Sequence, residues 1–201
     1  MKKPRVGVFI DAGNLYHTSA RIGWRIDFGK LKNLLSHAID LSFINYHVVV
    51  PREDDLNYAK TLMHIQKASE SFTMCQKPMK YIWSDEEKRE IKKGDVDVDL
   101  AIDVVRALEI VDAAVIISGD SDYLALEKYV AEHNKPLIFV GYKKNMAWEL
   151  RLKNHMFFEL IKRVCGVWSN DKPRPFGRGD VNEINYSKGY CRVKYHTDGC
   201  G

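Results

Sequence analysis

The chain alternates short apolar runs with amphipathic stretches of helical spacing. "RVGVFI" (5–10) is apolar after its arginine and stops at Asp11, which predicts a buried strand. "GNLYHTSARIG" opens a short helix behind it. "DFGKLKNLLSHAI" (27–39) is apolar at 28, 31, 34, 35 and 39, the spacing of one helix face, with Asp27 placed to cap it. "LSFINYHVVV" (41–50) is β-branched and aromatic, a second strand that Pro51 ends. "DLNYAKTLMHIQKASESF" (55–72) predicts a helix and "PMKYIW" (78–83) a third strand.

The charged stretch "SDEEKREIKKGD" (84–95) predicts a solvated loop, and "VDVDLAIDVVRALEI" (96–110) a helix on its apolar positions 100, 101, 104, 105 and 108. Strand "AAVIIS" (113–118), helix "SDYLALEKYVAEH" (121–133) and strand "KPLIFVG" (135–141) then alternate. "NMAWELRLKN" (145–154) suggests a short helix, and "MFFELI" (156–161) a last strand or helical turn. Strands separated by helices imply βαβ units, and hence an α/β fold with a mostly parallel sheet and helices on both faces. Residues 1–168 are expected to form one domain. Residues 169–201 turn rich in Gly, Pro and polar residues and form a C-terminal extension, either flexible or a small hairpin of "EINYS" and "YCRVKYH" across Lys188-Gly189.

Composition narrows this only slightly. Lys and Arg number 31 against 27 Asp and Glu, a net charge of +4 that permits an acidic partner without requiring one. No stretch approaches the roughly 18 apolar residues of a membrane span, and the first apolar run is too short for a signal sequence. The cysteines Cys75, Cys165, Cys191 and Cys200 show no C-x-x-C pair, so a cytoplasmic setting is expected. Cys191, His196 and Cys200 offer three zinc ligands without an evident fourth.

The chemistry lies in the aspartates. In an open parallel sheet, ligands bind beyond the carboxyl ends of the strands. Asp11 ends the first strand, where Asn14 would be the more usual helix cap, and Asp120 and Asp122 follow the strand "AAVIIS". Asp97 starts the next helix to the N-terminal side, with Asp95 as its expected cap, and Asp99 and Asp103 share one face of it. Asp97 and Asp122, each taken alone, read as caps. Taken together the acids pose a problem, because two carboxylates about 4 Å apart repel by about 4 kcal/mol at an effective dielectric of about 20. Such a cluster protonates or holds a cation, and oxygen-only donors favour Mg²⁺, with Mn²⁺ as a substitute. His17 and His133 read as surface residues.

The segments "FIDAGNLY", "KKGDVDVDLAIDVVRAL" and "VIISGDSDYLALEKYVAEHNKPLIFVGY" together resemble the NYN domain, in the LabA-like branch of the PIN-like nuclease superfamily, over roughly residues 4–160. The resemblance implies a Rossmann-like (PIN-like) α/β/α sandwich and Mg²⁺-dependent ribonuclease activity. It carries the family's first-strand Asp onto Asp11 and its Asn onto Asn14. The "VDV" acid falls on Asp97, and the "SGDSD" pair on Asp120 and Asp122. Ser118 matches the serine of that motif and Asp103 the later acid of the helix. The family's late "A-D-x-F" acid is replaced here by His155, in "NHMF".

On this reading Asp11, Asp97, Asp120 and Asp122 hold the metal and act catalytically. Asn14, Ser118, Asp99 and Asp103 support them, and Lys92, Lys93, Lys143 and Lys144 meet RNA, single-stranded or structured. Tyr16, Tyr123 and Trp148 offer base stacking or simply pack. A homodimer is compatible, and a non-catalytic RNA-binding module of the same fold is the rival. A haloacid-dehalogenase phosphatase wants an Asp where Gly13 stands, a Toprim domain wants a Glu after its first strand, and no Walker glycine loop is present.

Overall fold

The computed structural model describes residues 3–168, so the expected hairpin at 183–196 and the ligand trio Cys191, His196 and Cys200 lie outside the described residues. Six strands form the main sheet: β1 (Arg5–Asp11), β3 (Asp40–Val50), β4 (Thr73–Pro78), β7 (Ala113–Ile117), β8 (Leu137–Gly141) and β9 (His155–Phe157). Their order is β4-β3-β1-β7-β8-β9, and every neighbouring pair is parallel. The chain winds outward from β1 to β4, then returns to lay β7 on the other side of β1. That reversal opens a crevice at the carboxyl ends of β1 and β7, where such sheets bind their ligands.

Helices cover both faces. The even residues Val6, Val8 and Ile10 of β1 face α1 (Ala12–Ile22), α2 (Phe28–Ala38) and α3 (Tyr58–Ser69). Phe9 faces the other layer, where Leu100 and Val104 of α4 (Asp97–Ala107) meet Leu126 and Val130 of α5 (Leu124–Glu132). Burial on both faces explains why β1 reads as an unbroken apolar run. The side chain of Asp27 caps α2 through the Lys30 amide at 3.0 Å, as its position predicts. Gly23 ends α1 at φ 77°, a left-handed conformation that side chains resist.

The edges depart from expectation. The third main-sheet strand is β4, and "PMKYIW" instead supplies β5 (Lys80–Ser84), which pairs antiparallel with β6 (Arg89–Lys93). The stretch expected to be a loop is therefore half of a hairpin, with Lys88 at φ 51° in its turn. β6 is exposed along its whole length, so no hydrophobic alternation marks it. Side-chain anchors hold it instead: Arg52 bridges to Glu90 at 2.8 Å, and Asp55 takes the Tyr81 hydroxyl and Lys92 ammonium at 2.7 Å each. A second ribbon pairs β2 (Trp24–Ile26) with β10 (Gly166–Trp168), the strand that follows the short helix α6 (Lys162–Cys165). The expected helix at 145–154 reduces to a 3-10 turn, Leu150–Leu152, and "MFFELI" divides between β9 and the 3-10 turn Phe158–Ile161. Among the described residues, no helix is long and apolar enough to cross a membrane.

Leu100 is fully buried and Leu56 is 98% exposed. Leu100→Ala is expected to lower the unfolding free energy by about 2–5 kcal/mol in urea titrations. Leu56→Ala should change it by less than about 0.5 kcal/mol. Similar losses in both variants would contradict this account of the core.

Candidate active site

The crevice is a cleft of about 680 Å³ bordered by α1, the β3–α3 connection, the β6–α4 connection and the turn after β7. Asp11, Asp97 and Asp120 come from three separate segments and all line it, together with Asn14 and Asp95. Asp11 is the last residue of β1 and also the cap of α1, its Oδ1 accepting from the Asn14 amide at 3.0 Å. Asp11, not Asn14, is therefore the cap. Its side chain stays at the sheet edge because the helix starts at once.

The "SGDSD" segment builds the opposite wall. Ser118 is buried and donates its hydroxyl to Asp11 Oδ2 at 3.2 Å, while accepting from the Asp120 amide at 3.2 Å. One hydroxyl thus fixes the spacing between the two acidic elements. Asn14 Oδ1 accepts from the Gly119 amide at 3.0 Å and from Asn145 Nδ2 at 3.4 Å. Gly119 has no room for a side chain, since a Cβ there would lie 2.7 Å from the Asn145 carbonyl oxygen. Asp120 caps a 3-10 turn, Ser121–Tyr123, through the Asp122 amide at 3.1 Å.

Tyr123 ends that turn buried, and its hydroxyl donates to Asp97 Oδ1 at 2.8 Å. It is therefore a positioning residue and not a surface for stacking. Burial and the charge of Asp11 push its own ionisation up, so it remains a proton donor.

The electrostatics follow from this crowding. Burial pushes the Asp11 carboxyl above the usual carboxylate range; the Asn14 and Ser118 bonds oppose the shift, and the charges of Asp97 and Asp120 add to it. Asp97 is also raised, first by burial, against the Tyr123 bond, with Asp120, Asp95 and Asp122 contributing repulsion. His64, at the cleft wall, is pushed down to about 4, chiefly by burial and also by Arg25 and Lys67, and so stays neutral near pH 7.

Several expected supports lie elsewhere. Asp122 is exposed and does not line the cleft, and it does not cap the turn, because Asp120 already does. Asp97 is the first residue of α4 but caps nothing, and neither does Asp95, since the residue at the cap position is Val96. Asp99 points to the β4 side and pairs with Lys77 at 2.6 Å. Asp103 accepts from Asn45 Nδ2 at 2.7 Å and lies 3.2 Å from His47 Nε2, behind the cleft. The i and i+4 spacing does put these two acids on one face, but it is the face toward β3 and β4.

Of the lysines, Lys92 lines the cleft with its charge engaged by Asp55, and that pairing, with help from the Asn57 amide and Tyr81, holds Asp55 far below the usual carboxylate range. Lys93 is the next residue along β6, so it falls on the opposite face of the ribbon. Lys143 and Lys144 are exposed beyond β8 and do not line the cleft; nor does the exposed Trp148. His17, Arg21 and Lys60 do line it, as does Tyr16. Arg21 also donates to Asn145 Oδ1 at 2.8 Å. Nothing in the sequence pattern singles out Asn145 or Lys60, which loop and helix geometry bring in from outside the motifs.

Three carboxyl groups around an open cleft, two of them raised above the usual carboxylate range, are suited to a hard divalent cation. The oxygens of the three acids do not form a trio within 4.8 Å of one another; among the described residues that spacing is met at His47, Cys75 and Asp103. The wider spacing leaves room for metal-bound waters, which Mg²⁺ retains.

Known proteins resemble this chain in fold and in sequence. A solved structure of a protein of unknown function from Vibrio parahaemolyticus superposes with a TM-score of 0.61 at 20% identity, covering 77% of this chain and 93% of that one. The low amplitude and bright protein LabA of Synechococcus elongatus is 20% identical over 176 residues, spanning 86% of this chain and 92% of the relative. The NYN domain model matches residues 5–167, nearly the whole of the described structure, and the chain belongs to the NYN domain family, with its PIN-like nuclease fold.

Proposed function

We propose that the protein is a metal-dependent ribonuclease that cleaves phosphodiesters in the cleft, with Mg²⁺ as its ion and Mn²⁺ as a substitute. The observation that carries this reading is the convergence of Asp11, Asp97 and Asp120 on one cleft with the Asp11 and Asp97 carboxyls raised. These three would hold the metal, while Asp122 adds negative charge from outside the cleft. When bound, the ion supplies an activated water and neutralises charge on phosphate oxygens. Ser118 and Asn14 set the distance between the acidic walls, and Tyr123 holds Asp97 by its hydroxyl. Lys60 and Arg21 are the cations best placed to meet a phosphate backbone entering the cleft, and Lys93, Lys143 and Lys144 would meet it further out. The choice of RNA as substrate rests on the family.

Incubation of labelled single-stranded and structured RNA with Mg²⁺, Mn²⁺ or EDTA tests the proposal. Fragments are expected with either ion and not with EDTA. Asp120→Asn should slow cleavage by about 100-fold or more, the scale of losing a group that stabilises transition-state charge, while leaving the fold intact. Undiminished cleavage by Asp120→Asn would remove it from the mechanism. RNA retained without cleavage, whatever the metal, would favour a binding module.

The raised carboxyls add a pH signature. Protonation of Asp11 and Asp97 stabilises the metal-free fold fully below the ordinary value of 3.8, and that contribution is lost as pH rises through their raised native values. A cation replaces those protons. Mg²⁺ should therefore raise the melting temperature at about pH 7.5 and do so less at about pH 5, where protons compete for the same oxygens. Asp11→Asn should raise the metal-free melting temperature at the higher pH and shrink the Mg²⁺ increment. An increment independent of pH and of Asp11 would place the ion elsewhere.

A further inference from the structure

On the far side of Asp11 the same sheet face carries a second set of polar groups. His47 on β3 lies between Asp11 of β1 and Cys75 of β4 in one row of the parallel register. α4 crosses this row and brings Asp103 over it. A ring nitrogen of His47, the sulfur of Cys75 and a carboxylate oxygen of Asp103 all lie within 4.8 Å of one another. His47 and Cys75 are 3% and 8% exposed, and the Asp103 side chain is 15% exposed.

His47 Nε2 is buried without a hydrogen-bond partner, although Asp103 Oδ2 is 3.2 Å away. A buried ring nitrogen without a well-directed hydrogen bond is unfavourable unless something else takes its lone pair. Asn45, meanwhile, donates to Asp103 Oδ2 at 2.7 Å and so fixes the carboxylate from behind. An orienting bond of this kind is what supports a metal-ligating carboxylate.

We propose that His47, Cys75 and Asp103 form a zinc site, separate from the acidic cleft and independent of the nuclease reading. A nitrogen, a sulfur and an oxygen donor suit zinc, whereas the thiolate disfavours Mg²⁺. A thiolate and a carboxylate together balance the two charges of the ion, leaving a neutral centre in a buried place. Because its ligands come from β3, β4 and α4, the metal ties the helix to the edge of the sheet. Asp97 starts that same helix, so the zinc would fix the placement of one cleft acid without touching substrate. Burial implies that the ion is taken up as the chain folds.

The full chain, freed of metal and then given less than one equivalent of Zn²⁺, is to be examined by X-ray absorption at the zinc edge, with affinities measured by competition against a chromophoric chelator. One sulfur at about 2.3 Å with nitrogen or oxygen completing the shell is expected. Cys75→Ser should lose that sulfur, and Asn45→Ala should weaken zinc binding by about 10–100-fold. Asp120→Asn, which alters the cleft, should leave the sulfur signal in place. No retained zinc, no sulfur or an unchanged spectrum in Cys75→Ser overturns the proposal. Two sulfurs also overturn it, since the site holds a single cysteine. Where Cys75→Ser fails to fold, the sulfur count of the unaltered chain decides alone.

Discussion

Repulsion among carboxylates at the carboxyl edge of β1 and β7 is the constraint around which this end of the molecule is built. Asp11 is 6% exposed, so water does little to screen it from its neighbours. Each nearby residue answers that charge in a particular way. The α1 amide at Asn14 and the hydroxyl of Ser118 donate to it, and Tyr123 donates to Asp97. These bonds reduce the strain without removing it, because the carboxyls of both Asp11 and Asp97 remain raised. A fold that needed only helix caps would have no reason to face three such caps and starts toward one another.

The topology makes that convergence unavoidable. Winding outward in both directions from β1 brings the ends of β1 and β7 side by side, and the start of α4 beside them. Packing makes it exact enough to matter chemically: Leu100 and Val104 seat α4 against Phe9, while Gly119 lets the loop at Asn145 close on the acidic turn. α4 therefore has three distinct jobs on three faces. Its apolar face is core, its first residue reaches the cleft, and its Asp99 and Asp103 face pairs with Lys77 and lies against His47 near β4.

Most of this was legible in the sequence wherever one face of an element enters the core. The strands at 5–10, 41–50 and 113–118 announce themselves as apolar or β-branched runs and the helix at 96–110 by its spacing, and the acids at their ends mark the cleft. Of the β5–β6 ribbon, "PMKYIW" marks β5, but β6 is not marked, because the ribbon is held by Arg52, Asp55 and Tyr81 and not by a buried stripe. Asp103 was misplaced for a related reason. Helical spacing groups it with Asp99, but only the crossing of α4 over β3 decides that the pair faces His47 and Lys77 and not the cleft. Asp122 illustrates the same limit, since a two-residue motif does not reveal which carboxylate the turn directs inward.

The proposed cleavage depends most directly on a divalent ion held among Asp11, Asp97 and Asp120. Anomalous scattering from crystals of the protein grown with Mn²⁺ would locate it. A manganese peak is expected in the cleft within direct or water-bridged reach of all three carboxylates. A well-ordered, empty cleft at saturating Mn²⁺, or a peak away from those side chains, would contradict it.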